Sequence, residues 1–176
     1  MPVVLKIALL CVVVLAAIYD LRFRRIPNWV SLSGIVLGFG CNTLLLGLHG
    51  LREAGLGLLC AALVYMPLYL VRGMGAGDVK LMAAVGAIAG PESWLQIFLA
   101  TALIGGIVSL AVIAGKHRFR QTLGNVGVIV TELLHFRAPV ETDSRLDYRH
   151  KQAIRLPHGA AIAGGSIAFL LFTASR

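Results

Sequence analysis

Long uncharged apolar stretches, broken by short polar ones, make up most of this chain. Val3 to Tyr19 holds a single charge, Lys6. Val30 to about Leu48 and Ala54 to about Val71 hold none. A fourth apolar segment begins at Val79 and meets Gly90-Pro91-Glu92; a fifth runs from Trp94 to about Ala114, and a last one from Pro157 to about Ala174. A membrane-spanning helix needs roughly 20 consecutive apolar residues, with a range of about 17–25. The pattern therefore predicts an all-α polytopic membrane protein with about six transmembrane helices in a single domain, residues 1–176. Gly34 and Gly38, four apart in the second span, have the spacing that lets two helices approach closely. Pro67 is expected to kink the third span, and Trp29 to anchor at the membrane interface.

Residues 116–156 break the pattern. This loop carries eight lysines and arginines (Lys116, Arg118, Arg120, Arg137, Arg145, Arg149, Lys151 and Arg155), with Glu132, Glu141, Asp143 and Asp147 as its acids. Within it, Val126 to Phe136 is apolar but too short to span, so a short amphipathic helix lying on the membrane is expected. The loop acids read as solvent-facing charges in preference to a receptor for a basic substrate segment.

Composition sharpens the class. Of 176 residues, 58% are hydrophobic and only 14% charged, against about 25% charged in soluble domains. The net charge of +8 would suggest nucleic acid in a soluble protein. Here the basic residues sit between apolar runs, which points to topology and anionic lipid, with no nucleic-acid partner. Cys11, Cys41 and Cys60 stand alone in apolar runs without a CxxC pair. They read as three small buried thiols, and neither a metal site nor a cofactor is expected.

Charge asymmetry orients the spans. The loops after spans one, three and five hold nearly all the lysine and arginine and are expected to face the cytoplasm; both termini then lie outside. The first span has its arginines after it, the reverse of a signal peptide, so it is read as uncleaved. Asp20 and Asp78 fall on the same cytoplasmic side. From Val79 to Gly90 a helix would measure about 18 Å, against a hydrocarbon core about 30 Å thick. Asp78 is therefore expected below the surface, in a water-filled cleft that Asp20 can share.

Acids at such depth are costly and usually functional. Two carboxylates in one cleft titrate as a unit, so one can take a proton while the other gives one, with no metal or nucleophilic side chain. Gly75 and Gly77 suit a backbone that approaches an extended peptide and adopts positive φ. Each acid has a plainer reading: Asp78 as the N-cap of a helix, Asp20 as ion partner of Arg22 or Arg24. Lys80 either favours charge on Asp78 or, the preferred reading, extends to the headgroups.

The motifs resemble a known family. Asp20-Leu21-Arg22 followed by Ile26-Pro27-Asn28, and Gly75-Ala76-Gly77-Asp78-Val79-Lys80, look like the two aspartate motifs of the type IV prepilin peptidases, GxGD intramembrane aspartyl proteases. The late segment Leu156-Pro157-His158-Gly159-Ala160-Ala161 is similar to the family's last-helix segment, with His158 where an aromatic is more usual. His158 is read as a packed, hydrogen-bonded residue without a catalytic role.

The resemblance implies an inner-membrane aspartic endopeptidase that cuts leaders from prepilins at the cytoplasmic face. Asp20 and Asp78 would be catalytic; Gly75, Gly77, Lys80, Arg22, Pro27 and Asn28 would shape the site or bind substrate. Larger members also methylate the new N-terminus. The absence here of CxxC pairs and of a nucleotide-binding glycine motif implies the small peptidase-only form of the tight-adherence (Flp) pilus type. The sequence allows a homo-oligomer without requiring one. Two other classes remain open to test: a small proton-coupled transporter and a non-catalytic scaffold for pilus assembly.

Overall fold

The computed structural model describes residues 1–70, 74–115 and 158–175. These residues form four helices: α1 (Val3–Phe23), α2 (Asn28–Leu70), α3 (Ala76–Gly115) and α4 (His158–Ala174). No strand occurs among the described residues. The first three helices are long and apolar enough to cross a membrane; α4 is a shorter apolar helix of 17 residues. The loop of residues 116–156, its acids and the amphipathic helix expected at 126–136 lie outside the described residues.

α1 shows how an almost wholly apolar helix acquires sides. Leu5, Leu9, Val12, Val13, Ala16 and Asp20 are buried, recurring every three to four residues on one face. Val3, Ile7, Leu10, Val14, Ile18 and Leu21 are exposed on the other, apolar surface that only lipid covers without cost. Asp20 thus ends the buried stripe. It lies inside the helix, four residues before the left-handed Arg24 (φ 52°) whose N–H closes the last turn on the Asp20 carbonyl.

α2 and α3 are each broken once, at a glycine. Gly47 has φ 62° and Gly90 φ 76°, a region closed to most L-residues. Eight residues of straight helix would separate Asn42 from Gly50 by about 12 Å; instead Gly50 packs directly on the Asn42 carbonyl. The chain has doubled back. Residues 49–53, which separate the second and third apolar runs, are helical, and one glycine suffices for the reversal. Helical torsions also continue through Pro67. Gly90 has the same effect in α3. Gly57 of α2 abuts Gly86 and Gly90, while Tyr65, two turns further along α2, packs its ring on Phe98, eight residues beyond Gly90. Pro91 follows as the first residue of the new arm, where a missing N–H costs nothing.

The first arm of α3 is the central element. Val79, Leu81, Met82, Ala84, Val85, Ala87 and Ile88 are all buried, so it is enclosed nearly all round. Gly34 and Gly38 do what their spacing predicts. A methyl on Gly34 would lie 2.9 Å from the Ala84 Cβ, and one on Gly38 2.7 Å from the Ala87 carbonyl carbon. The buried Asn42 amide donates to the carbonyls of Gly38 (2.9 Å), Ala87 (3.0 Å) and Ile88 (3.2 Å). It thereby satisfies acceptors that the break at Gly90 leaves without helical partners. Because its neighbour is rigid backbone, Gly38→Ala is expected to destabilise the protein by about 1–3 kcal/mol, read as a lower melting temperature in detergent. An unchanged melting temperature would refute the close packing.

The cysteines are free; Cys41 and Cys60 are half-buried, but Cys11 is exposed, because it falls on the outward face of α1. Trp29 is exposed and packs edge-on against Tyr19, with ring centroids 5.9 Å apart.

Candidate active site

The last turn of α1, the end of α2 and the first turns of α3 and α4 meet at one end of the bundle. Asp20 comes from the first, Tyr65 from the second, Asp78 from the third, and His158 and Gly159 from the fourth. Asp78 lies within electrostatic range of Asp20, His158 and Tyr65. Two acids far apart in sequence are thus neighbours.

Asp20 is buried, 8% exposed. Its Oδ2 accepts the Gly159 N–H at 2.8 Å. That amide is one of the free donors of the first turn of α4, where the helix dipole also favours negative charge. This is the partner that the described residues offer the Asp20 carboxylate, in place of an arginine. Arg22 is exposed, with its guanidinium 5.7 Å from the Phe23 ring centroid, and Arg24 contacts Asp20 through its backbone. Gly159 leaves no room for a side chain: a methyl there would lie 2.9 Å from Asp20 Oδ2 and 3.1 Å from its Cβ. The small-residue opening of the last span marked this segment as a close interface without revealing that Asp20 is what it approaches.

Asp78 is half-buried and sits at the third position of α3, which begins at Ala76, so it is not the N-cap. Its own N–H donates to the Gly75 carbonyl at 3.1 Å. Gly77 is helical, and positive φ among described glycines is confined to Gly47 and Gly90. Its role is packing: a methyl at Gly77 would stand 3.3 Å from the Ile26 Cβ. Ile26 fills the space expected for a substrate backbone, and Pro27 beside it is half-buried.

Lys80 is exposed, and its Nζ donates to Asn28 Oδ1 at 2.9 Å. The expectation of a lysine reaching the headgroups gives way to a tether between the first turns of α2 and α3. Together with Ile26 on Gly77, it joins the two sequence motifs to each other. Lys80→Met keeps the aliphatic stem and removes this bond, worth about 0.5–1 kcal/mol at an exposed site. The expected result is a severalfold slower turnover, matched by Asn28→Ala and not deepened in the double variant. Additive losses would show that the two residues act separately.

His158, read from sequence as a hydrogen-bonded packing residue, is packed but not bonded at Nε2. Its ring lies 6.3 Å from that of Tyr65, and Nε2 is buried without a hydrogen-bond partner among the described residues.

Helices that cross a membrane, with a carboxylate pair gathered at one end of the bundle, define an integral membrane protein built around an acidic site. Residues 7–110 match the model of the type IV leader peptidase family, and the chain belongs to that family. It is 33% identical over 127 residues (66% of this chain, 42% of the relative) to a prepilin leader peptidase/N-methyltransferase of Xanthomonas campestris pv. campestris. It is 32% identical over 123 residues (65% and 40%) to the protein of that name from Burkholderia pseudomallei. The chain spans about two fifths of the length of these curated relatives. No solved structure matches it.

Proposed function

We propose that this protein is an aspartic endopeptidase of the bacterial inner membrane that removes leader peptides from type IV or Flp prepilins at the cytoplasmic face. The observation that carries the reading is the convergence of Asp20 and Asp78, from separate motifs, at one end of a membrane-embedded bundle, in a chain of the leader peptidase family. In this mechanism the two carboxyls share one proton. The ionised member takes a proton from water as its oxygen attacks the scissile carbonyl, and the protonated member gives its proton to the carbonyl oxygen. Collapse of the tetrahedral intermediate breaks the C–N bond, and the leaving amine takes up the proton first removed from water.

Reversals at Gly47 and Gly90 give α2 and α3 two arms each, which supports six crossings, the first arm of α3 being shorter than a full span. Both termini then lie outside. Arg22, Arg24, Arg25 and Lys80 gather at the end with the acids, which favours the cytoplasm for that end, and the basic loops suit anionic lipid. A proton-coupled transporter would need acids along a crossing path. The carboxylates among the described residues are Asp20 and Asp78 at one end and Glu53, against Gly90, and Glu92 at the other.

The test is co-expression of wild type with tagged prepilins, followed on a gel for loss of the leader. Absence of cleavage across a panel of type IV and Flp prepilins, together with Asp78-dependent proton flux in proteoliposomes, would replace this reading with the transporter.

A further inference from the structure

A groove of about 200 Å³ lies between the second arm of α3 and the start of α4. The two helices run antiparallel here: Gly105 faces Ala161, Ile104 meets Gly164 and Thr101 meets Gly165. Along the rim Ala102, Gly106 and Val108 are exposed, so the groove opens on the side of the bundle, among apolar surface that lipid covers without cost. Two residues lining it carry unsatisfied polar atoms. Thr101 is 1% exposed, and its Oγ1 has no hydrogen-bond partner among the described residues; His158 Nε2 is likewise buried without one. Hydrocarbon offers neither donor nor acceptor, and a buried hydroxyl or imidazole left unpaired is destabilising. Two such atoms on one groove call for an occupant that brings hydrogen-bonding groups with it. A helix spends its backbone bonds internally; an extended peptide offers an N–H and a C=O at nearly every residue.

We infer that this groove binds the substrate polypeptide in extended form on the membrane side of the scissile bond, with Thr101 and His158 as hydrogen-bonding partners of its backbone. The inference deepens the peptidase reading and rests on it. The groove adjoins the acids: His158 lines it, and the next residue, Gly159, donates its N–H to Asp20 Oδ2 at 2.8 Å. A peptide whose scissile carbonyl lies at the carboxyl pair therefore continues past His158 toward Thr101. From Ser109 back to Thr101 the helix rises about 12 Å, room for about three to four extended residues. Gly105, Gly106 and Ala161 are small enough for a backbone to come close to both helices. Gly77 offers no such room, because Ile26 packs on it. The Thr101 hydroxyl can donate or accept, and the His158 Nε2 does one or the other according to its tautomer. Both residues set where the substrate lies without touching the bond that breaks.

The experiment traps the substrate in place. Benzoylphenylalanine is put at Val108, on the rim, in the full-length Asp78→Asn chain, co-expressed with a tagged prepilin that wild type cleaves. Illumination of the membranes should join prepilin to position 108. It should do so far less at Ile107, which points away from Gly105 on the same arm, or at Leu171 on α4; both are exposed. Equal yields at the three positions, or no cross-link at 108, would overturn the inference. Kinetics of the wild-type background give a second reading. Thr101→Val should raise KM about three- to tenfold, the effect of one lost hydrogen bond, with kcat changed less. Thr101→Ser keeps the hydroxyl and should restore KM. An unchanged KM in Thr101→Val, or a fall in kcat alone, would overturn the inference as well. If Thr101→Val does not accumulate in the membrane, the cross-link, made with Thr101 intact, decides alone. Cleavage by wild type without cross-linking at 108 defeats the groove and leaves the peptidase reading standing; no cleavage by wild type of any prepilin defeats both.

Discussion

Asp78→Asn and Asp20→Asn, each alone, are expected to lower prepilin cleavage by at least about a thousandfold, the scale of general acid–base catalysis. The protein should still accumulate in the membrane. An amide matches the carboxyl in size, and the Asp20→Asn side chain keeps an oxygen able to accept the Gly159 N–H, which stands 2.8 Å from Asp20 Oδ2 in the wild type. What the amide cannot do is exchange a proton at working pH, and the pair has no spare member. Removing one of two neighbouring acids also relieves their mutual repulsion, so the melting temperature of either variant should be equal to or above that of wild type, as when an active site is held at some expense to stability. Near-normal cleavage by either variant would end the two-acid mechanism. Tolerance of both, with pilus assembly intact, would instead support the scaffold reading.

Gly159→Ala is expected to have the second-largest effect. The added methyl would stand 2.9 Å from Asp20 Oδ2, 3.1 Å from its Cβ and 3.2 Å from its Cγ. Either Asp20 rotates away or the start of α4 retreats, and both movements break the Gly159-to-Asp20 hydrogen bond. A bond of this kind to a charged group is worth about 1.5–3 kcal/mol, so turnover should fall roughly 10- to 100-fold. The fall should appear in kcat more than in KM, because the amide positions an acid and not the substrate. Membrane yield should stay close to wild type. A Gly159→Ala variant with normal kcat would show that the amide of α4 does not organise Asp20.

Much of the architecture was legible in the order of residues. Apolar runs of spanning length identified a helical membrane protein, and the four-residue spacing of Gly34 and Gly38 correctly forecast a close helix contact. The boundaries were less legible, for physical reasons. Polar residues such as His49, Arg52 and Glu53 looked like a loop, yet a helix tolerates them at its exposed end, and a single positive-φ glycine makes the turn. Asp20 stands just past the first apolar run, yet the helix continues through it, and it is buried on the same face as Ala16.

The candidate site was legible as two acids and their flanking motifs, but not as a set of contacts. Sequence alone determined that carboxylates lie at the ends of apolar helices, since hydropathy and the cost of buried charge are local properties of the chain. Only tertiary structure decided what surrounds them. Ile26 fills the space at Gly77, Asn28 holds Lys80, and the first turn of α4 delivers one amide to Asp20 and packs one imidazole by Tyr65. Those relations depend on distances between residues remote in sequence. They arise from how glycines at two reversals and two helix interfaces let the arms of the bundle close on one another.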